Sequence, residues 1–300
     1  AENSLIELGY EPFYIENEKT SKRTLDYRIS TNPASIVFMD GFITANTVTE
    51  NSTHIYSWYT DAVIEKALDE LMDIYGCSLE EANTILYNGG LRIYTCFNPD
   101  VQYRVDEIYT NEFLLASYEN SDTDEHLQSA ISVVDNYNGA VIAMAGGIGT
   151  KTSSRVFNRA VDTFRSSGSS IKPLSVYTPA VEEGYITPLS IYEDSPFNKD
   201  ENNKDWPVNA TGKYKGKMTV ADAIAESINT VAVKVLDTLG LESSYDWLVN
   251  KFKFSHIVPE DMDYAPLALG GFTQGVSTYE MAGAFSIFAR NGNYTQPYLY

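Results

Sequence analysis

A serine and a lysine three residues apart, Ser169 and Lys172, carry the clearest chemical potential in this 300-residue sequence. Residues three apart lie on one face of a helix, so the two side chains can be neighbours. A serine hydroxyl becomes a useful nucleophile when a base removes its proton, and lysine can act as that base when burial or nearby positive charge lowers its pKa. At a helix N-terminus, free backbone N–H groups would also favour the oxyanion of acyl transfer. The pair therefore predicts an acylation device with Ser169 as nucleophile.

A second serine, Ser227, and Asn229 lie two residues apart and could both face a cleft if the helix that carries them breaks there. The hydroxyl could then relay a proton, and the amide could hold a substrate carbonyl or the lysine. Neither spacing is specific. About one Ser-x-x-Lys is expected by chance in a chain of this length, and Ser30–Asn32 repeats the second pattern. On spacing alone, a capping serine, a solvated lysine and ordinary helix surface are the favoured interpretation.

The charge argues against nucleic acid as a partner, and the local spacing of cysteines and histidines gives no sign of a metal site, although one could still assemble in space. The formal net charge is −20, from 41 acidic and 21 basic residues, and a field of that sign repels phosphate backbones. Cys77 and Cys96 lack metal-ligand spacing, and the three histidines, His54, His126 and His256, are far apart in the sequence. Nothing local therefore predicts a metal site or a Ser-His-Asp triad.

Hydrophobic periodicity and capping signals predict the elements around these residues, with paired strands followed by helices in an α+β fold. Asn138-Gly139 lies between the apolar runs 130–134 and 140–144, which is the strongest short-range hairpin signal. A polar, acidic segment at 119–125 predicts an exposed loop or boundary. Helices are predicted over Asp61–Tyr75, Ser78–Tyr87, Asn98–Tyr118, Thr219–Leu239 and Ser277–Arg290, and further strands over Ser35–Met39 and Leu91–Thr95.

Longer stretches with recognisable patterns follow one another along the chain. They are Gly89–Gln102 (GGLRIYTCFNPDVQ), Val133–Gly147, Phe157–Ala160 (FNRA), Trp206–Asn209 (WPVN), Ala225–Thr230 and Leu267–Gly271 (LALGG). Ser-x-x-Lys and Ser-x-Asn are relaxed forms of two motifs of penicillin-binding proteins and serine β-lactamases. In this order, the whole set resembles the penicillin-binding proteins, and most closely their bifunctional, class A type. The resemblance covers roughly residues 55–300.

The resemblance implies a penicillin-binding, serine β-lactamase-like transpeptidase fold of the α+β class. Such a fold has an antiparallel sheet with helices and a helical subdomain. On this interpretation residues 1–125 form a linker or pedestal region, and residues 126–300 form the N-terminal part of the transpeptidase domain.

The resemblance also implies a reaction, peptidoglycan D,D-transpeptidation through a serine acyl-enzyme. Ser169 would attack the penultimate D-alanine carbonyl of a stem peptide, with Lys172 as the base. Ser227 would shuttle a proton to the leaving amine, and Asn229 would hold the peptide and orient Lys172. A β-lactam, which imitates D-Ala-D-Ala, would acylate Ser169. No metal or organic cofactor is expected.

Two departures from the family pattern qualify this interpretation. Ser167 stands where the family has proline, which affects only a turn. No Lys-Thr-Gly or Lys-Ser-Gly occurs in the sequence, and in the family this motif lies on a core strand that completes the oxyanion hole. We therefore expect an incomplete domain whose missing strand could come from a second polypeptide. We also expect action at the extracytoplasmic face of the bacterial membrane, with the anchor and glycosyltransferase domain outside this chain.

Two other functions share the first motifs. A serine β-lactamase must also hydrolyse its acyl-enzyme, and the sequence offers no clear glutamate for that step. A non-enzymatic β-lactam sensor or cell-wall scaffold would retain the same acylation device. Rapid turnover of a β-lactam would indicate the first, and stable acylation without transpeptidation would indicate the second.

Overall fold

The computed structural model describes residues 10–17, 22–29, 55–111 and 127–300. Contacts divide the chain into two compact units, one formed by Ala1–His54 and Val63–Tyr94 and the other by Ile55–Ala62 and Thr95–Tyr300. The predicted strand at 35–39 and the predicted loop at 119–125 lie outside the described residues.

The first unit contains an antiparallel pair of strands, most of one helix and the whole of another. Strands β1 (Tyr10–Asn17) and β2 (Lys22–Ile29) are paired from Tyr10 opposite Ile29 to Asn17 opposite Lys22. Helix α1 (Trp58–Tyr75) begins slightly before its predicted start, and its last two-thirds lie in this unit. Helix α2 (Leu79–Asn88) has the predicted capping box between Ser78 and Glu81.

The second unit mixes short antiparallel strand pairs with helices, which confirms the predicted α+β class. Its strands are β3 (Ile131–Val134), β4 (Val141–Ala145), β5 (Ile191–Asp194), β6 (Asn198–Lys199), β7 (Asp205–Trp206) and β8 (Gly216–Thr219). Within the described ranges, β3 pairs with β4, β5 with β8 and β6 with β7. Its helices are α3 (Pro99–Thr110), α4 (Thr178–Glu182), α5 (Val220–Ala225), α6 (Asn229–Leu239), α7 (Leu241–Asp246), α8 (Tyr264–Leu269) and α9 (Thr278–Phe285), with shorter helical turns between several of them.

The β3–β4 hairpin has the predicted strands and turn, and α3 packs on it. Gly139 takes φ +86° in the turn, a value that glycine adopts without strain. The amide of Gln102 on α3 pairs with the Met144 backbone as a neighbouring strand would, donating to its carbonyl (2.9 Å) and accepting from its N–H (3.0 Å). The helix is thereby fixed to the hairpin by hydrogen bonds as well as by apolar contact.

Helix α6 forms the centre of the larger core. Seven of its residues are buried, as expected of a helix that is apolar on nearly every side. The core around it includes Ile171 and Leu174, which follow Ser169 in the chain. The helix and the residues that follow the candidate nucleophile are therefore packed in one core.

The structure corrects three predictions. Residues 91–95 are irregular rather than a strand. Sheet-like backbone hydrogen bonds begin only at Cys96, whose N–H donates to the Leu299 carbonyl. Helix α3 ends at Thr110, before its predicted end. The single helix predicted over 219–239 is two helices, α5 and α6, separated at residues 226–228.

In the described part of the chain no helix is both long and apolar enough to cross a membrane.

Candidate active site

Ser169 lies in a short 3₁₀ turn, Gly168–Ile171, that opens the helical segment leading into α4. The residue is exposed to solvent, and its carbonyl accepts a hydrogen bond from the Lys172 backbone N–H. Gly168 precedes it with φ +54°, a left-handed conformation in which glycine is unstrained. The serine is therefore presented at the start of a helical turn, where a nucleophile is accessible.

The loop at residues 270–276 supports the strand-like segment that leads to Ser169. Arg165 and Val276 exchange two backbone hydrogen bonds, of 3.1 and 2.9 Å, and the Ser166 hydroxyl donates to the Gly270 carbonyl. A Cβ on Gly270 would lie 2.2 Å from the Gly168 carbonyl oxygen, whereas one on Gly271 would meet nothing within 4 Å. Of the two glycines, Gly270 permits a close backbone approach.

Lys172 is 2% exposed, and its amine contacts two of the other predicted site residues. Nζ donates to the Ser227 carbonyl oxygen at 2.8 Å, to the Ser227 Oγ at 3.3 Å and to the Asn229 Oδ1 at 2.6 Å. In the described part of the chain, the Ser169 hydroxyl makes no hydrogen bond with these groups. The structure thus brings Lys172, Ser227 and Asn229 into contact, with Ser169 one turn away on the same segment.

Burial changes the protonation of Lys172. Desolvation lowers the pKa of its amine from the usual 10.5 to about 8. All three acceptors on Nζ are uncharged, so none of them offsets desolvation as a carboxylate would. An amine with such a pKa loses its proton readily near neutral pH and can act as a base.

Ser227 occupies the break between α5 and α6 in a strained conformation. Its φ is +54°, a region sparsely populated by residues other than glycine. The break turns both the carbonyl and the hydroxyl of Ser227 to Lys172. Helix interruption was the condition under which the sequence allowed Ser227 and Asn229 to act together.

A buried polar network behind Asn229 was not found from the sequence. Asp194, at the end of β5, is 1% exposed, and its Oδ1 accepts from Asn209 Nδ2 at 2.7 Å. Asn209 Oδ1 in turn accepts from the Asn229 backbone N–H at 2.9 Å. Asn209 ends one of the recognised stretches, WPVN, but Asp194 had no such signal. Among the described residues, no group of three or more His, Cys, Asp or Glu could hold a metal ion.

Comparison with known sequences identifies related proteins. A model of the penicillin binding protein transpeptidase domain matches residues 129–300. Penicillin-binding protein 1A of Clostridium acetobutylicum is 34% identical over 261 residues, which cover 83% of this chain and 32% of that protein. Penicillin-binding protein 1F of Bacillus subtilis is 33% identical over 241 residues, covering 80% and 31%. The chain spans about a third of the length of these curated relatives.

Comparison with solved structures bears on the fold. Penicillin-binding protein 1A from Haemophilus influenzae matches with a TM-score of 0.61 and 19% identity, covering 83% of this chain and 48% of that one. The PonA1 protein from Mycobacterium tuberculosis, solved in complex with penicillin V, matches with a TM-score of 0.60 and 22% identity, covering 80% and 61%. These matches confirm the predicted transpeptidase fold.

Proposed function

Since this chain belongs to the penicillin-binding protein transpeptidase family, whose members are peptidoglycan transpeptidases, we propose that it forms cell-wall cross-links through an acyl-enzyme on Ser169. Its substrates are peptidoglycan stem peptides ending in D-Ala-D-Ala, and β-lactams acylate the same serine. The reaction takes place at the extracytoplasmic face of the bacterial membrane. Residues 126–300 carry the transpeptidase machinery, and residues 1–125 act as a linker or pedestal.

The first half-reaction forms the acyl-enzyme. The neutral amine of Lys172 takes the proton of the Ser169 hydroxyl as the oxygen attacks the penultimate D-alanine carbonyl carbon. The C–N bond to the terminal D-alanine then breaks, and the proton that Lys172 took from Ser169 passes through the Ser227 hydroxyl to the leaving nitrogen, which returns Lys172 to its neutral form. The products are an ester on Ser169 and free D-alanine. A β-lactam follows the same course, except that its ring C–N bond opens and the leaving amine stays attached.

The second half-reaction transfers the acyl group. An amine of a neighbouring stem peptide attacks the ester carbonyl and loses a proton to Lys172. The ester C–O bond breaks, Ser169 regains its proton, and a new amide joins the two peptides. Asn229 holds the donor peptide through its side-chain amide and keeps Lys172 aimed at Ser169. No metal or organic cofactor takes part in either step.

One observation carries this proposal: the buried amine of Lys172, held by uncharged acceptors, lies one helical turn from the exposed Ser169. A solvated lysine would keep its proton at neutral pH, and a serine without a nearby base would stay unreactive. The interpretation favoured on spacing alone, a capping serine with a solvated lysine, does not account for a lysine that is 2% exposed.

Intact-mass measurement of the purified protein with and without benzylpenicillin tests the proposal. We expect a mass increase of one penicillin that is absent in Ser169→Ala. The matched control is Ser170→Ala, because Ser170 is an exposed neighbour whose hydroxyl donates to the Ser167 carbonyl and should be dispensable. An adduct that persists in Ser169→Ala would overturn the assignment.

Further outcomes separate the alternative functions. Incubation with a stem peptide and an amine acceptor should release D-alanine and form the cross-linked product. Rapid loss of the penicillin adduct with hydrolysed penicillin in solution would indicate a β-lactamase. A stable adduct without D-alanine release would indicate a sensor or scaffold. A second polypeptide that supplies the Lys-Thr-Gly strand stays a prediction, which the same mass spectra would test.

A further inference from the structure

We propose that Asp194 is a positioning residue for acylation, holding Asn209 so that Asn209 caps α6 and Asn229 presents its oxygen to the Lys172 amine. The inference rests on the proposed function and adds a residue that is remote in sequence from the four assigned ones. The chain of contacts runs from Asp194 to Asn209, then to Asn229 and finally to Lys172.

The carboxylate of Asp194 is enclosed by hydrogen-bond donors. Its Oδ1 accepts from Thr230 Oγ1 at 2.5 Å and from Asn209 Nδ2 at 2.7 Å, and its Oδ2 accepts from the Lys215 backbone N–H at 2.8 Å. An ionised carboxylate only accepts, so the groups around it must all turn donors towards it. Burying a carboxylate without hydrogen-bond partners would cost free energy. The need for donors on every side therefore fixes the orientation of the groups around Asp194.

Ionisation of Asp194 is consistent with this role. Burial raises the pKa of Asp194, but hydrogen bonds from Thr230, Asn209 and the Lys215 backbone, together with the charge of Lys234, hold that pKa below its ordinary value. The side chain therefore stays an acceptor throughout the pH range in which Lys172 exchanges its proton.

Asp194 thereby fixes which way the Asn209 amide faces. The NH₂ group of Asn209 donates to Asp194 and, at 3.0 Å, to the Lys213 carbonyl. Its oxygen must then face the opposite side, where it accepts from the backbone N–H groups of Asn229 (2.9 Å) and Thr230 (3.4 Å). A flipped amide would set its NH₂ group against the backbone N–H donors of Asn229 and Thr230, and its oxygen against the acceptors of Asp194 and Lys213.

Asn209 performs the capping that the local sequence lacks. Ile228 is the N-cap residue of α6 and has no side-chain hydrogen bond to the first turn. A helix N-terminus leaves several N–H groups unsatisfied, and an apolar N-cap cannot accept from them. The amide oxygen of Asn209, 20 residues away from Asn229, supplies the acceptor.

The same segment also fixes the side chain of Asn229. Asn229 Nδ2 donates to the carbonyl of Val208 at 2.8 Å, and Val208 directly precedes Asn209. With its nitrogen held there, the amide oxygen points to Lys172 Nζ at 2.6 Å. Loss of Asp194 should therefore loosen the backbone and the side chain of Asn229 together, and with them the position of the catalytic base.

A double-mutant cycle in the whole protein tests whether Asp194 acts through Asn229. The quantity measured is the second-order rate constant for acylation by a fluorescent penicillin. We expect Asp194→Ala to lower it about tenfold to a hundredfold, because small displacements of catalytic groups cost about that much. Asp194→Asn keeps one acceptor oxygen and should recover part of the rate. In an Asn229→Ala background, Asp194→Ala should have little further effect.

The dependence of the acylation rate on pH distinguishes a positioning role from a general loss of packing, because poorer packing alone would not shift it. Among the described residues, the Lys172 amine hydrogen-bonds only to the uncharged groups Ser227 O, Ser227 Oγ and Asn229 Oδ1. Losing the Asn229 acceptor removes a bond that favours the ammonium form, which lowers the pKa of Lys172. The acidic limb of the acylation profile should therefore move to lower pH in both Asp194→Ala and Asn229→Ala.

Asp61→Asn is the matched control for loss of a buried carboxylate. Asp61 is 2% exposed and belongs to the same unit, but its partners Lys151 and Arg155 lie outside the site. It should lower the melting temperature and leave the acylation rate and pH profile of the folded protein unchanged.

Two results would overturn the inference. One is a wild-type acylation rate in Asp194→Ala, and the other is an equal loss with and without the Asn229 side chain. If Asp194→Ala does not fold, the cycle is run with Asp194→Asn, where additive losses would likewise refute the inference. A Ser169→Ala protein that still becomes labelled would instead refute the proposed function, so the two failures are distinguishable.

Discussion

At Lys172, burial and hydrogen bonding act on the amine in opposite directions. Desolvation favours the neutral form, whereas donation to three acceptors favours the ammonium. Desolvation lowers the pKa to about 8, so that the amine is mainly protonated but exchangeable at neutral pH. The ion is held in place while charged and becomes a base when it loses its proton.

This balance predicts a pH dependence for acylation. In the proposed mechanism the neutral amine is the reactive form, so the rate constant should rise about tenfold per pH unit below about pH 8 and level off above it. Labelling by a fluorescent penicillin, measured at a series of pH values, gives the profile. Lys172→Arg is the control, since a guanidinium stays protonated and should show neither the rise nor rapid labelling. A flat wild-type profile would exclude Lys172 as the titrating base.

Ser227 combines a useful hydroxyl with a strained backbone, and two substitutions separate the roles. Ser227→Ala and Ser227→Gly both remove the hydroxyl and should slow acylation by about a hundredfold, within the usual range for a proton-transfer group. Glycine also relieves the φ of +54°, so Ser227→Gly should be more stable than Ser227→Ala by about 0.5–1 kcal/mol. Thermal melts and labelling rates check both effects. Equal stability of the two variants would mean that the conformation is not strained.

At the level of elements, the loop at 270–276 hydrogen-bonds to Arg165 and Ser166, which lead to the candidate nucleophile Ser169. Gly270→Ala would bring a Cβ within 2.2 Å of the Gly168 carbonyl oxygen at a φ of +77°. We expect it to lower stability by about 1–3 kcal/mol and to slow labelling of Ser169 at least tenfold. Gly271→Ala is the matched control, because its Cβ enters open space. If the two variants behave alike, the close approach has no role in positioning.

Elements that depend on neighbouring residues were predictable from the sequence. The capping boxes at Ser78 and Ser277 each place a serine three residues before a glutamate, and the structure contains both. Asn98 caps α3 and Pro99 opens it. Asn138-Gly139 joins β3 and β4 as its turn chemistry predicts. In each case the information lies within a few residues of the feature.

Features that depend on distant contacts were missed. Apolar residues continue at helical spacing through 224, 228 and 231, so periodicity predicts one helix where the structure has a break. The break coincides with bonds to Lys172 and Asn209, which are 55 and 20 residues from their partners. Asp194 lies 36 residues from Thr230. The four candidate site residues came from short motifs and their flanks, but the network that orients them came only from the folded chain.

Across the whole molecule, the second unit includes more of the chain than the match to the family model. That match begins at residue 129, whereas the unit also contains Ile55–Ala62 and α3. Tyr59 places its hydroxyl 2.8 Å from the carbonyl oxygens of both Val141 and Leu299. Asp61 pairs with Lys151 through a contact of 2.5 Å. These bonds integrate the start of α1 into the fold that carries the site.

The Asp61–Lys151 pair leads to a prediction about stability at a distance from the chemistry. Asp61 Oδ2 also accepts from the Arg155 N–H at 2.6 Å, and Lys151 Nζ also donates to the Tyr56 carbonyl at 2.6 Å. Either substitution breaks this buried ion pair, so Asp61→Asn or Lys151→Met should lower the free energy of unfolding by about 3–5 kcal/mol.

Urea unfolding of these variants measures the loss, and labelling by a fluorescent penicillin follows the site. Glu107→Gln is the control, because Glu107 and Arg104 form an exposed pair on α3 that should add little. The unfolding midpoint should fall for the buried pair and stay unchanged for the exposed one. Labelling of the folded protein should stay within about twofold of wild type in all three variants. Asp61, Lys151 and Glu107 are not among the residues that hydrogen-bond to the Lys172 amine, which are, within the described ranges, Ser227 and Asn229. Equal midpoints for the buried and exposed variants would show that the Asp61–Lys151 pair contributes no more to stability than an exposed pair does.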